Sequence, residues 1–209
     1  MSQAHDAGNA AEMRRTRIME AAAAVFAQKG FQRATVREIA AQAGIAPGTI
    51  YLYFENKRDL LVAIADHLIS QPLDQVLSRG AEMDAQTLMA AILRERMRFA
   101  RQNRALLKAL IPEIWVDAEL QDRFFSRIMA PIFASGAGFL RRRIAEGELR
   151  PCRVEVVLPA IAGAIIFLAA ARALMPAHVL AGISEDEIVE ELTRLYMLGL
   201  RPDDSEPAE

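Results

Sequence analysis

The stretch from Thr35 to Lys57 constrains the fold more than any other part of the chain. Thr35 and Glu38 have the spacing of a capping box, which marks the start of a helix. Apolar residues then recur at the intervals of one helix face, at Val36, Ile39, Ala40 and Ala43. Gly44 follows where a left-handed residue commonly ends a helix, and Pro47 suits the first turn of another. Two short helices around a glycine turn predict a helix-turn-helix.

The second of these helices, expected from Pro47 to about Phe54, has the properties of an element that reads DNA. The side chains at its N-terminal end are small, and Thr49, Tyr51 and Tyr53 offer hydroxyl groups. A recognition helix needs a small N-terminal end for close approach and donors for phosphates and base edges. Lys57 stands at the predicted start of a third helix, and a helix N-terminus with a lysine favours phosphate binding.

These residues resemble the N-terminal DNA-binding domain of the TetR family of bacterial transcriptional regulators. The resemblance covers roughly Arg14 to Ala65; beyond it only the size and the helical character agree. It is carried by Gly30-Phe31, Thr35-Val36-Arg37-Glu38-Ile39-Ala40, Ala43-Gly44-Ile45, Gly48-Thr49-Ile50-Tyr51, Tyr53-Phe54, Asn56-Lys57 and Leu60-Leu61. The chain departs from the family at Ala46, where a capping serine is frequent, and at Tyr53, where histidine is frequent. The resemblance implies DNA contacts at Thr35, Arg37, Pro47, Gly48, Thr49, Tyr51, Tyr53 and Lys57.

The composition indicates an all-α protein, because alternating β-branched runs are missing and alanine, leucine, arginine, glutamate and methionine dominate. We expect a disordered N-terminus at 1–11 and a three-helix helix-turn-helix domain at 12–57. A helical ligand-binding and dimerisation domain should follow at 58–200, and a flexible acidic tail at 201–209. The first 60 residues hold eight basic and six acidic residues, against seventeen and twenty-one in the rest. A mildly basic head on an acidic body fits a protein whose head alone touches DNA.

Two C-terminal helices carry more apolar surface than one subunit can cover. The first contains the run 156–171, which is shorter than the ~20 residues of a membrane span. The second starts at a capping box formed by Ser184 and Glu187. Two such pairs would form a four-helix dimer interface, which the family resemblance also implies. The expected interface residues are Ala160, Gly163, Ala164, Ala171, Ile188, Leu192, Leu195, Tyr196 and Gly199.

The helices between the head and this pair should enclose a pocket for a small effector. A short helix is expected from Asn103 to Ile111, with Trp115 in the loop after Pro112. A long helix from Leu120 to Glu146 should be kinked or divided at Pro131. Apolar side chains favour a hydrophobic effector. The candidate pocket residues are Phe99, Leu107, Trp115, Phe124, Phe125, Met129 and Phe167.

The interpretation that follows is a homodimeric, ligand-responsive repressor on a palindromic double-stranded operator. The alternatives are a DNA-binding regulator without a small-molecule ligand, and an activator of the same family. We do not expect an enzyme, a cofactor or a metal, because no catalytic set, phosphate loop or metal-ligand spacing occurs. Cys152 is the single cysteine and cannot form an internal disulfide. A cytoplasmic location without a membrane partner is expected, since the N-terminus lacks a signal-peptide core.

Overall fold

The computed structural model describes the backbone of residues 2–175 and 182–202, and their side chains except at 2–7, 81 and 172–174. This part of the chain is helical and has no strand, which confirms the all-α prediction. A 3-10 turn spans Gly80–Glu82 and a π-helical segment spans Phe125–Met129. The α-helices are α1 (Ser2–Lys29), α2 (Val36–Ala43), α3 (Pro47–Ile50), α4 (Lys57–Arg79), α5 (Ala85–Gln102), α6 (Arg104–Val116), α7 (Ala118–Phe124), α8 (Ala130–Ala145), α9 (Val154–Leu174) and α10 (Glu185–Leu200).

The chain divides into two compact units. The first comprises Met1–Leu68 and Asn103–Arg127, and in it α1 packs against α2 and α6. Its core is formed by side chains that are almost fully buried, among them Ile18, Phe26, Ile39, Phe54, Leu60 and Leu120. The core therefore joins the helix-turn-helix to α1 and to the first turns of α4.

The second unit comprises Ile69–Gln102 and Ile128–Glu209. In it α5 packs against α9 and α10, and α8 packs against α9. The core is a continuous cluster of aliphatic side chains that includes Leu93, Leu140, Ile161, Ile165 and Val189. This unit corresponds to most of the predicted ligand-binding and dimerisation domain.

The division between the units differs from the predicted boundary at residues 57 and 58. The first unit continues to Leu68 because Leu60 and Leu61 of α4 are buried in its core. It also takes in α6 and α7: the Arg58 Nε lies 2.5 Å from the Asp117 Oδ2, in a salt bridge within this unit. Such contacts join residues that are distant in sequence, so a helical pattern alone does not predict them.

Two predicted helix ends differ from the structure. α1 begins at Ser2, where the sequence suggested disorder over 1–11; alanine is frequent there and has the highest helix propensity. α6 continues through Pro112 to Val116, so Trp115 lies in a helix and not in a loop. The stop signal comes later, at Asp117, whose carboxylate accepts a hydrogen bond from the Leu120 N–H and caps α7. Of the predicted acidic tail, residues 203–209 lie outside the described part of the chain.

Helix α9 is longer than its apolar run suggested. It has 21 residues, and its segment Val154–Ala171 is long and apolar enough to cross a membrane by length and composition alone. The expectation that this helix is too short for a membrane span is therefore wrong. Mostly buried core helices of soluble proteins pass the same test; α9 packs against α5 and α8, and 28% of this segment is buried in the single chain.

Candidate nucleic-acid interface and cavity

Helix α2 begins with the predicted capping box. The Thr35 hydroxyl accepts a hydrogen bond from the Glu38 N–H at 3.2 Å, and the Glu38 carboxylate accepts one from the Thr35 N–H at 3.0 Å. The Lys29 Nζ lies 2.5 Å from the other carboxylate oxygen. The hydrogen bonds from Lys29 and Thr35 lower the pKa of Glu38 from 4.5 to about 2. The box fixes the start of α2 and joins it to the end of α1.

The turn between α2 and α3 is closed by Gly44. Its φ of 64° and ψ of 39° lie in the left-handed region, where glycine has no steric penalty. The Gly44 N–H donates to the Ala41 carbonyl at 3.2 Å and the Ile45 N–H donates to the Ala40 carbonyl at 3.0 Å. This pair of bonds is a Schellman motif, which satisfies the last carbonyls of α2. The predicted helix-turn-helix is present with its expected turn.

Helix α3 is shorter than predicted and starts without a side-chain cap. It spans Pro47–Ile50, and Ala46 in the N-cap position offers no acceptor to the free N–H groups. Hydrogen-bonded turns follow, in which the Tyr53 N–H donates to the Ile50 carbonyl at 3.0 Å. Ile50 and Phe54 are buried, as the sequence suggested.

The predicted DNA contacts fall into three groups. Thr35, Arg37, Pro47, Gly48 and Tyr51 are exposed, and Thr49 and Tyr53 are partly buried. Thr35 is the N-cap of α2, and the others lie on α2, on α3 or in the turns after α3. Leu52, which the sequence did not single out, is 81% exposed in the turn that follows α3.

Lys57 differs from the others, because its ammonium group is already bound within the unit. It donates hydrogen bonds to the carbonyl oxygens of Phe31 at 2.7 Å, Ala34 at 3.1 Å and Gln32 at 3.2 Å. Its Nζ also lies 4.4 Å from the centroid of the Phe31 ring. Burial lowers the pKa of Lys57. The residue therefore fixes the turn before α2 to the start of α4, a role that no local sequence signal indicates.

The second unit contains an apolar cavity of about 160 Å³ that is partly open to solvent. It lies between the C-terminal half of α4 and helices α5, α8, α9 and α10. Among the described residues on its wall, Arg96 is the single charged one. The wall is formed by Ile69, Leu73, Leu77, Ala85, Leu88, Met89, Ile92, Arg96, Met129, Ile132, Gly136, Phe139, Leu140, Leu149, Leu158, Ile161, Ala162, Ile165, Ile166, Met197 and Leu200.

The cavity contains one of the seven residues that the sequence suggested for a pocket, Met129. Four of the others, Leu107, Trp115, Phe124 and Phe125, belong to the first unit. Phe99 and Phe167 lie in the second unit but not on the cavity wall, and the side chain of Phe167 is 59% exposed. Most of the seven predicted pocket residues are aromatic, whereas the wall consists mainly of leucine, isoleucine and methionine.

Helices α9 and α10 present large apolar side chains to solvent in the single chain. Val156, Ile166, Phe167, Leu195 and Leu198 are each more than half exposed. Among the predicted interface residues, Ala160, Gly163, Leu195 and Gly199 are exposed, and Ala164, Leu192 and Tyr196 are partly buried, whereas Ala171 and Ile188 are buried in the unit's own core. An exposed apolar face of this extent is typical of an interaction surface.

Comparisons with known proteins agree with this geometry. Residues 18–64 match the family described as bacterial regulatory proteins, tetR family. The HTH-type transcriptional regulator YvdT of Bacillus subtilis is 27% identical over 134 residues, which is 64% of this chain and 68% of that protein. The fatty acid metabolism regulator protein of Bacillus subtilis is 42% identical over 59 residues, covering 28% of this chain and 30% of that protein. The latter match therefore concerns less than a third of either chain.

A solved structure extends the similarity to the whole fold. The transcriptional regulator FadR from Bacillus subtilis, determined in complex with stearoyl-CoA, superposes with a TM-score of 0.75. The alignment covers 88% of this chain and 98% of that one at 24% identity. At this identity the likeness concerns the fold, and the chemistry of the cavity has to be argued from the residues of this chain.

The uncapped start of α3 gives a stability prediction. Replacing Ala46 with serine supplies a hydroxyl that can accept a hydrogen bond from the N–H of the first turn of α3. We expect Ala46→Ser to raise the free energy of unfolding by about 1 kcal/mol. Denaturant unfolding of Ala46→Ser and of the control Ala46→Val, which provides no acceptor, measures the effect. Equal stability of the two variants would contradict the capping argument.

The capping box of α2 gives a pH prediction. The folded state lowers the pKa of Glu38 to about 2, so its stabilising contribution is complete above about pH 4.5. This contribution is lost as the pH falls from there towards 2. We expect Glu38→Gln to be less stable than the wild type at pH 6 and the difference to vanish near pH 2. Unfolding curves over this pH range test it; a difference that is independent of pH would contradict it.

Proposed function

The chain belongs to the TetR family of bacterial transcriptional regulators, and from this premise we propose that it is a homodimeric cytoplasmic repressor. An apolar effector releases it from a palindromic operator. The observation that carries the proposal is the helix-turn-helix, with its capping box, its Gly44 turn and exposed residues on α2 and α3.

In the proposed complex, α3 enters the major groove of the operator. Arg37 and Thr49 contact base edges, the former suited to a guanine and the latter to a thymine methyl group. Thr35, Tyr51 and Tyr53 contact phosphates, and Pro47 and Gly48 allow the backbone to approach. Lys57 contributes mainly by fixing the turn before α2, because its donors are bound to backbone carbonyls.

The proposed dimer forms through α9 and α10. The exposed Val156, Phe167, Leu195 and Leu198 supply apolar area, and Ala160 and Gly163 allow a partner helix to approach closely. Burial of such a face in a second copy removes it from water. A two-fold axis then places two recognition helices about 34–36 Å apart on one side of the duplex.

The proposed effector binds in the cavity of the second unit. Its apolar wall supports a hydrophobic molecule, as does the stearoyl group in the complex of the Bacillus subtilis regulator. The cavity volume of about 160 Å³ is close to the ~150 Å³ of an engineered cavity that holds benzene.

Release from the operator is proposed to act through α4, because this helix belongs partly to each unit and also forms part of the cavity wall. Ile69 and Leu73 flank Pro72 in α4, and α4 passes from the first unit to the second after Leu68. A bound effector that displaces this stretch of α4 favours a conformation that misfits the operator. Inverting a 1:99 equilibrium requires about 5.5 kcal/mol of difference in binding free energy between the two conformations.

Selection of bound duplexes from genomic fragments at near-physiological salt tests the proposed activity. We expect enrichment of one two-fold-symmetric site. Thr49→Val should then change the preferred base at one position in each half-site by about 1–3 kcal/mol, with little change in the salt dependence of binding. Thr87→Val, the same substitution in the second unit, serves as the control. An unchanged base preference in Thr49→Val would contradict the docking model.

A charged side chain introduced into the proposed interface tests whether the dimer forms through α9 and α10. Leu195 is 63% exposed in the single chain, so Leu195→Asp should leave the subunit folded but prevent burial of the face. We expect a monomer in analytical ultracentrifugation and an operator affinity reduced by about a hundredfold or more, because two linked contacts become one. Val116→Asp is the matched control, since Val116 is exposed and lies on α6. A dimeric Leu195→Asp variant would place the interface elsewhere.

A further inference from the structure

Arg96 is an unusual residue for the wall of an apolar cavity. Its side chain is only 11% exposed, and the other described residues of the wall are apolar. Burying a guanidinium group is unfavourable unless its charge is balanced and its N–H groups find acceptors. The partners of this side chain therefore indicate what the cavity can bind.

The charge of Arg96 is already balanced by its neighbour Glu95. The Arg96 Nε donates a hydrogen bond to the Glu95 carboxylate, and the Glu95 side chain is 5% exposed. Together the two residues form a buried pair with no net charge. An additional anion bound beside the pair would introduce an uncompensated negative charge into the protein interior.

The orientation of the guanidinium group is fixed by two further contacts. The Arg96 Nη1 donates to the Ile69 carbonyl oxygen at 3.3 Å. The guanidinium carbon lies 5.3 Å from the centroid of the Phe99 ring. With Glu95 these contacts hold the planar group on three sides, so its remaining donors point in defined directions.

At least one donor of Arg96 is left over. Nη2 is buried and makes no hydrogen bond of normal geometry within the described structure. It lies close to the same Glu95 oxygen, but it carries two N–H groups and that oxygen can engage at most one of them. Buried donors without acceptors are rare in native proteins and require an explanation.

We infer that the effector carries a neutral hydrogen-bond acceptor, such as a ketone, ester or ether oxygen, which draws the guanidinium group of Arg96 towards the cavity and accepts its spare N–H. The inference rests on the proposed function, since it concerns the same cavity. The apolar body of the effector fills the space between α5, α8 and α9. A free carboxylate is disfavoured because Glu95 already supplies the negative charge that Arg96 requires.

Three probes of similar size and different polarity test the inference: 2-hexanone, pentanoate and toluene. Isothermal titration calorimetry measures the affinity of each for the full chain. We expect 2-hexanone to bind at least about tenfold more tightly than pentanoate. Ala162→Leu, which adds volume at the cavity wall, should weaken all three and so locates binding in the cavity.

The role of the pair is tested by changing its charge. Glu95→Gln leaves Arg96 as an uncompensated cation, and pentanoate should then gain at least about tenfold in affinity relative to 2-hexanone. The double variant Glu95→Gln, Arg96→Met contains neither charge. Its ratio of 2-hexanone to toluene affinity should fall by about tenfold, the usual effect of losing one hydrogen bond to a charged group. Comparing this ratio between the wild type and the double variant cancels the difference in hydration free energy between 2-hexanone and toluene.

The outcomes separate this inference from the proposed function. Tighter binding of pentanoate than of 2-hexanone by the wild type overturns the neutral acceptor and leaves the cavity as an effector site. An unchanged ratio of 2-hexanone to toluene in the double variant likewise overturns the role of Arg96. Failure of all three probes to bind the wild type contradicts the cavity as the effector site and with it this inference, whereas the proposed DNA-binding function is decided by the selection of bound duplexes. Circular dichroism confirms folding, and the double variant remains informative if Glu95→Gln alone unfolds.

Discussion

The ammonium group of Lys57 holds together the part of the molecule on which the proposed activity depends. Its hydrogen bonds to the carbonyl oxygens of Phe31, Gln32 and Ala34 satisfy the backbone of the turn before α2. That turn leads directly to Thr35, which caps α2, and α2 leads through Gly44 to α3. The position of the recognition helix is thus set by a chain of hydrogen bonds that begins at the first residue of α4. A lysine at a helix start suggested a phosphate contact, but the structure uses its donors internally.

The sequence predicted features whose cause is local and missed features whose cause is not. The capping boxes at Thr35 and Ser184 and the left-handed Gly44 were predicted, because each depends on residues within a few positions. The inclusion of α6 and α7 in the first unit depends on pairs such as Arg58 and Asp117, which are distant in sequence. Helix α6 also passes through Pro112, a residue that usually ends a helix, and ends only at Asp117.

The cavity also depends on contacts between residues that are distant in sequence, and the sequence predicted it less well than the helix caps. Of the seven predicted pocket residues only Met129 lies on the cavity wall. The size and hydrophobicity of a side chain do not reveal which face of its helix lines a cavity. Phe167 is an example: it lies on the most apolar helix of the chain, yet it is on the exposed face with Val156. Arg96 was interpreted neither as a pocket residue nor as a partner of Glu95, since adjacent residues on a helix do not normally face each other. Their pairing depends on the buried environment that α4 and α5 create together.

Arg96 also connects the chemistry of the cavity to the backbone of α4. Pro72 has no N–H to donate, so the carbonyl of Leu68, four residues earlier, loses its usual helical partner. Ile69, the next residue, has a carbonyl that accepts from Arg96, and its side chain lies on the cavity wall. Ile69, which lies three residues before the proline, is therefore in contact both with the cavity and with Arg96. A molecule that draws the guanidinium group towards itself weakens the hydrogen bond to Ile69 at the point where α4 is least supported by its own backbone. Effector polarity, and not only effector volume, would then bias the conformation that binds DNA.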